Sequence, residues 1–105
     1  MTPAQAIAML DKQLKAHGET VIARRGPAAD IPTRGFVRGY KPADLVGDIK
    51  QGDLRVTLSP TDLAAILPFK AGDKVLVAGA VKNVEQAEHV RMLDQIVRIN
   101  LRVRG

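Results

Sequence analysis

Val97-Arg98-Ile99-Asn100-Leu101-Arg102-Val103-Arg104 alternates apolar and polar residues without a break. A period of two belongs to a β-strand with one buried and one wet face. Val97, Ile99, Leu101 and Val103 face a core; Arg98, Asn100, Arg102 and Arg104 face outward. The same alternation recurs upstream in Leu54-Arg55-Val56-Thr57-Leu58, with Arg55 and Thr57 outward. In Arg34 to Tyr40, a third strand places Phe36, Arg38 and Tyr40 on one face.

Around these strands the chain reads as mainly β, an α+β protein with one helix. Thr2 caps the helix, Pro3 suits its first position, and Gln5 completes a capping box. Ile7, Leu10 and Leu14 form one apolar stripe, and Gly18 is the expected stop, so the helix spans about residues 3–17. Glu19 to Arg25 is a short strand, and Gly26 to Thr33, with two prolines, is a loop. Ser59-Pro60-Thr61-Asp62 has the signature of a helix start, giving a turn or two that ends at Pro68. Lys74 to Ala78 and Ala80 to Glu85 are strands joined near Gly79, and Gln86 to His89 is a polar interval. The last strand then runs from about Arg91 to Val103, with a bulge or bend near Asp94-Gln95. The expected fold is a small antiparallel β-barrel or sandwich of about six strands with an N-terminal helix. At 105 residues the chain is one domain: helix 1–18, and a β-barrel core 19–105 that includes a loop over 41–53.

Composition narrows the chemistry. The aromatic residues are Phe36, Phe69 and Tyr40, so the core is expected to rest on Val, Ile, Leu and Ala. There is no cysteine, which excludes disulfides, zinc–thiolate sites and a cysteine nucleophile. The opening residues lack the basic and apolar regions of a signal peptide, and no apolar run approaches the ~20 residues that cross a bilayer. The expectation is a soluble chain made in the cytoplasm. Its net charge of +5 permits contact with nucleic acid or acidic protein surfaces.

No catalytic or cofactor constellation emerges, and no cofactor is expected. His17 suits a helix C-terminus and His89 a polar loop, both solvent-exposed, without carboxylates at metal-ligand spacing. Asp44, Asp48 and Asp53 do not match the spacing of a calcium loop. Ser59 reads as a helix cap, and Gly72-Asp73 as a turn.

The segment Lys41 to Asp53 is long for a hairpin connection, yet it carries Leu45, Val46 and Ile49. Either it folds back over an open end of the barrel, or it projects and docks on a neighbouring subunit. The bracketing prolines, glycines and charges favour docking. An oligonucleotide-binding barrel wants aromatic stacking platforms. Only Phe36 and Tyr40 are placed to serve, and half-buried core aromatics are the simpler reading of them.

Phe36-Val37-Arg38-Gly39-Tyr40, the long polar excursion, Gln51-Gly52-Asp53-Leu54-Arg55-Val56-Thr57-Leu58, Ala71-Gly72-Asp73-Lys74-Val75 and the closing Leu101-Arg102-Val103-Arg104-Gly105 together resemble the small head–tail connector proteins of tailed bacteriophages and prophages. These are the head-completion, head–tail joining or stopper proteins. The resemblance spans roughly residues 19–105 and implies a small β-barrel assembled as a homo-oligomeric ring in the virion neck. Its implied partners are portal or adaptor proteins, tail proteins and the packaged DNA, with no membrane. A ring needs a heterologous interface. Leu45, Val46 and Ile49 are candidates for one side of it. Arg38, Arg55, Arg98 and Arg102 are candidates for contacts to acidic partner surfaces or to DNA phosphates. The implied role is to join head to tail and help retain packaged DNA. The alternatives are a tail-terminator or tail-completion protein of the same assembly, and a small single-strand nucleic-acid-binding barrel.

Overall fold

A computed structural model of the chain describes residues 1–27, 30–40, 47, 49 and 52–105. Helix α1 (Pro3–His17) is followed by strands β1 (Glu19–Arg24), β2 (Ile31–Gly39), β3 (Leu54–Leu58), β4 (Lys74–Val77), β5 (Ala80–Met92) and β6 (Gln95–Arg104). The strands close into an antiparallel barrel in the order β1-β2-β3-β6-β5-β4. Closure leaves no open sheet edge. Two meanders, β1-β2-β3 and β4-β5-β6, are thus sewn together by the pairs β3–β6 and β1–β4.

The alternation in the sequence becomes the wall of the barrel. Val21 and Ala23, Val56 and Leu58, Val75 and Val77, and Ile99, Leu101 and Val103 fill the interior. The connection between β3 and β4 adds Leu63, Ile66 and Phe69 to the same core. Phe69 therefore joins a core that composition assigned to aliphatic residues alone. The expected helix at 59–67 is absent. Pro60 O accepts from Leu63 N, and Leu63 O accepts from both Ile66 N and Leu67 N, so the segment is a run of turns. Pro68 and the burial of Leu63 and Ile66 hold the chain down before a helix propagates. Ser59 caps no helix; its Oγ accepts from Thr61 N.

Helix α1 starts as its residues dictate. Thr2 Oγ1 accepts from Gln5 N at 3.1 Å, and Thr2 N donates to Gln5 Oε1 at 2.8 Å. Its buried Leu10 and Leu14 lie on the side facing β6 and β2, the strands that flank short β3. Gly18 ends the helix in extended backbone (φ −83°, ψ −179°), not in the left-handed turn usual for such a glycine. Its value is space: a Cβ there would sit 2.6 Å from Leu14 O and 3.0 Å from Gly35 O. Arg34 of β2 supplies the cap instead, its Nη2 donating to Gly18 O at 2.6 Å and its Nε to Leu14 O at 3.3 Å.

The largest departure from the sequence reading lies in the second meander. β5 runs straight through the expected polar interval 86–89, and the chain reverses at Leu93-Asp94. Met92 pairs with Gln95, and Leu93 and Asp94 have φ of 50° and 66°. Two positive φ values in a two-residue loop are the requirement of a type I′ hairpin, normally met by Asn-Gly or Asp-Gly. Leu-Asp carries no such signal, so the reversal read as a bend. The bulges lie elsewhere, between Val84 and Gln86 and between Val90 and Arg91. β2 likewise starts at Ile31 rather than Arg34, absorbing Pro32.

Candidate basic interface on the β2–β3–β6 face

Strand register brings three of the four candidate arginines into one line. Arg38 of β2 stands opposite Arg55 of β3, and Arg55 stands opposite Arg102 of β6. All three point away from the core, with Arg38 and Arg55 exposed and Arg102 half-buried. Neighbouring strands lie about 4.8 Å apart, so this rung sets three guanidinium groups across roughly 10 Å of sheet. Arg98 lies four residues before Arg102 on the same face of β6, exposed.

Of the barrel's other arginines, four are used internally, and Arg91 stands exposed on β5. Arg24 forms a two-pronged pair with Asp30, and Arg25 another with Asp73. Arg34 holds the helix end. Arg104 grips buried Asp53 through Nε (2.8 Å) and Nη2 (3.0 Å), and Nη1 donates to Glu85 at 2.9 Å. Glu85 is the extra residue of the first bulge in β5. Asp53 and Asp73, read from sequence as part of the loop and as turn chemistry, are thus buried anchors. Among the described residues, no acidic side chain pairs with Arg38, Arg55, Arg98 or Arg102.

Two clefts flank Arg55. One, of about 180 Å³, is lined by Tyr40, Arg55, Gln86, Glu88, Asn100 and Arg102. The other, of about 270 Å³, is lined by Gln13 of α1 with Phe36, Arg38, Arg55, Thr57 and Arg98. A polar chain separates them: Thr57 Oγ1 donates to Asn100 Oδ1 at 3.0 Å, and Asn100 Nδ2 donates to Glu88 Oε1 at 2.8 Å. Phe36 is outside the barrel core, and Arg38 Cζ sits 5.7 Å from its ring centroid, within cation–π range. Phe36 and Tyr40 therefore belong to the basic face, which corrects the reading of them as core aromatics. Arg102 Nε is buried and donates to no atom among the described residues.

Of the loop candidates, Leu45 and Val46 lie outside the described residues, as do Asp44 and Asp48, and Ile49 is half-buried. His17 is exposed in the last helical turn. His89 is not on a loop: it sits half-buried on β5, where Nε2 accepts from Phe69 N at 3.0 Å. Burial pushes its pKa below the ordinary histidine value, with the Arg91 charge adding to the effect. Among the described residues, no three His, Cys, Asp or Glu side chains cluster to hold a metal. No helix among them is long and apolar enough to cross a membrane.

Sequence reasoning had named the four arginines but not their alignment, nor the part of Gln86, Glu88 and Tyr40 in the cleft. Register is the missing quantity: it is set by the pairing of β2 with β3 and of β3 with β6, which no local sequence signal announces. The chain matches no family model, no curated protein and no solved structure.

Proposed function

We propose that this chain is a structural protein of the tailed-phage neck that assembles as a ring, joins head to tail and helps retain packaged DNA. The observation that carries the reading is the line Arg38–Arg55–Arg102, joined by Arg98, on one outer face of a closed barrel. Like charges directly opposite on neighbouring strands cost stability. A face built that way serves a negatively charged surface brought to it from outside. The resemblance to head–tail connectors supplies the biological setting, and the closed barrel agrees with the architecture it implies. The test is deletion of the gene in the phage or prophage that encodes it. The reading predicts DNA-leaking heads and detached tails; infectious particles at the normal yield contradict it.

A second reading, a small single-strand nucleic-acid-binding barrel, is favoured by one specific observation. Phe36 and Tyr40 stand on the arginine face, where bases stack, rather than in the core. Deletion without any effect on particles, together with tight single-strand binding by the isolated monomer, would move this reading to first place.

A further inference from the structure

The partner of the arginine face follows from what the face lacks as well as from what it holds. Protein interfaces that bind well are built around apolar or aromatic anchors in dehydrated pockets with a polar rim. The outward positions of β3 and of β6 from Arg98 to Arg102 offer Arg55, Thr57, Arg98, Asn100 and Arg102, with no aliphatic side chain among them. Apolar surface is supplied by Phe36 on β2 and by Tyr40 just after its end, both beside an arginine. Cationic groups at short, regular spacing with flat rings alongside match a phosphodiester chain, which carries one charge per nucleotide and a base per phosphate.

We infer that the rung Arg38–Arg55–Arg102 binds the phosphate backbone of nucleic acid, independent of sequence, with one phosphate seated in the cleft between Tyr40, Arg55, Gln86 and Arg102. This deepens the reading of the basic face and rests on it. The cleft is the strongest point of the track. Two guanidinium groups border it against one carboxylate, Glu88, whose Oε1 accepts from Asn100 Nδ2, and Arg102 Nε has no acceptor among the described residues. A buried donor without a partner carries a desolvation cost. An anion that draws the Arg102 guanidinium toward the cleft mouth gives that donor an oxygen to bind, so the cost is relieved in the complex and not before it. Arg98 and Gln13 border the second cleft, which continues the basic surface toward α1. Backbone contacts of this kind position without reading sequence.

The experiment is fluorescence anisotropy of the full chain with a labelled 20-nucleotide single strand and, separately, its duplex, titrated from about 0.05 to 0.3 M salt. With Arg98 the face offers four arginine contacts, which give a slope of log K against log salt near −3 for the single strand and near −3.6 for the duplex. Arg55→Gln weakens binding several-fold and lowers the slope by about 1, whereas Lys70→Gln, an exposed charge off this face, leaves it unchanged. Equal losses from the two variants overturn the inference, because they show attraction by net charge alone. Competition by poly-glutamate as effective as by unlabelled nucleic acid at equal charge overturns it as well. Preference for the single strand assigns Phe36 and Tyr40 to base stacking; preference for the duplex assigns the rung to packaged DNA. Because the readout is binding by the isolated chain, its failure leaves the neck assignment to be judged by the deletion phenotype.

Discussion

Arg25 and Asp73, separated by 48 residues in sequence, meet in a two-pronged pair, Nε to Oδ1 at 2.8 Å and Nη2 to Oδ2 at 2.6 Å. Arg25 Nη2 also donates to Pro68 O, and Asp73 accepts from Lys70 N. The pair therefore ties the end of β1 to the start of β4 and to the turns that plug the core. Arg25, first of all by its hydrogen bond, holds the Asp73 carboxyl below the usual carboxylate range against the opposing effect of burial. A carboxyl whose folded pKa is depressed adds stability that is fully present above its unfolded value and is lost as pH falls through the folded one. Asp73→Asn leaves the Arg25 charge facing a neutral amide and is expected to cost about 2–3 kcal/mol, read from chemical denaturation at pH 7. The loss shrinks in acid, below the unfolded carboxyl pKa of about 4, where wild type loses the same contribution.

His89 gives a second pH window, nearer neutrality. Its Nε2 accepts from Phe69 N only when unprotonated, and burial favours that neutral form. With the folded pKa below the unfolded one, stability is full above about pH 6.5 and declines as pH falls through the folded value. Thermal midpoints measured from pH 7.5 to 5 should fall for wild type. His89→Gln, which retains an acceptor but does not titrate, should flatten that decline.

The arginine rung predicts a gain of stability on substitution. Arg55 faces Arg38 on one side and Arg102 on the other. Arg55→Gln removes two like-charge neighbours and should stabilise the monomer by about 0.5 kcal/mol at low salt, the gain fading above ~0.5 M. Thermal melts at both salt levels check this. A destabilised variant would mean that the charge is already satisfied within the chain.

Gly18 is fixed by crowding. Because the atoms a Cβ would meet, Leu14 O and Gly35 O, are both backbone, Gly18→Ala must shift the helix end or β2. The expected cost is about 1–3 kcal/mol, measured by denaturation. The loss should accompany weaker protection of the last helical turn in hydrogen exchange.

The tip of the β5–β6 hairpin is built against its residues. Leu93 is 82% exposed and holds φ of 50°. A left-handed conformation is costly for a bulky side chain and natural for Asn or Gly. Leu93→Asn with Asp94→Gly should raise the thermal midpoint, by about 1 kcal/mol of stability. An unchanged or lowered midpoint would contradict that account of the turn.

How much of this was legible in the sequence depends on the signal each element carries. Alternation in 97–104 and 54–58 disclosed which side chains face the core, and Thr2, Pro3 and Gln5 disclosed the helix start, because those signals are local. The reversal at Leu93-Asp94 was hidden, since tertiary pairing of β5 with β6 overrides turn propensity there. The register of β6 against β3 is likewise a long-range pairing with no local signal, so the alignment of the arginines across three strands was not legible. Asp53 and Asp73 were hidden for a related reason. Their partners Arg104 and Arg25 lie 51 and 48 residues away, and nothing in the spacing announces the pairing.

The central claim is that the barrel acts in a virion neck through its arginine face. Reconstruction of the necks of any phage particles released on induction of the cells that carry the gene tests it most directly. The account predicts a closed ring of this barrel at the head–tail junction, with the β2–β3–β6 outer face turned toward DNA. Particles that contain no copy of the chain, or a ring whose Arg38, Arg55 and Arg102 face bulk solvent, would contradict it.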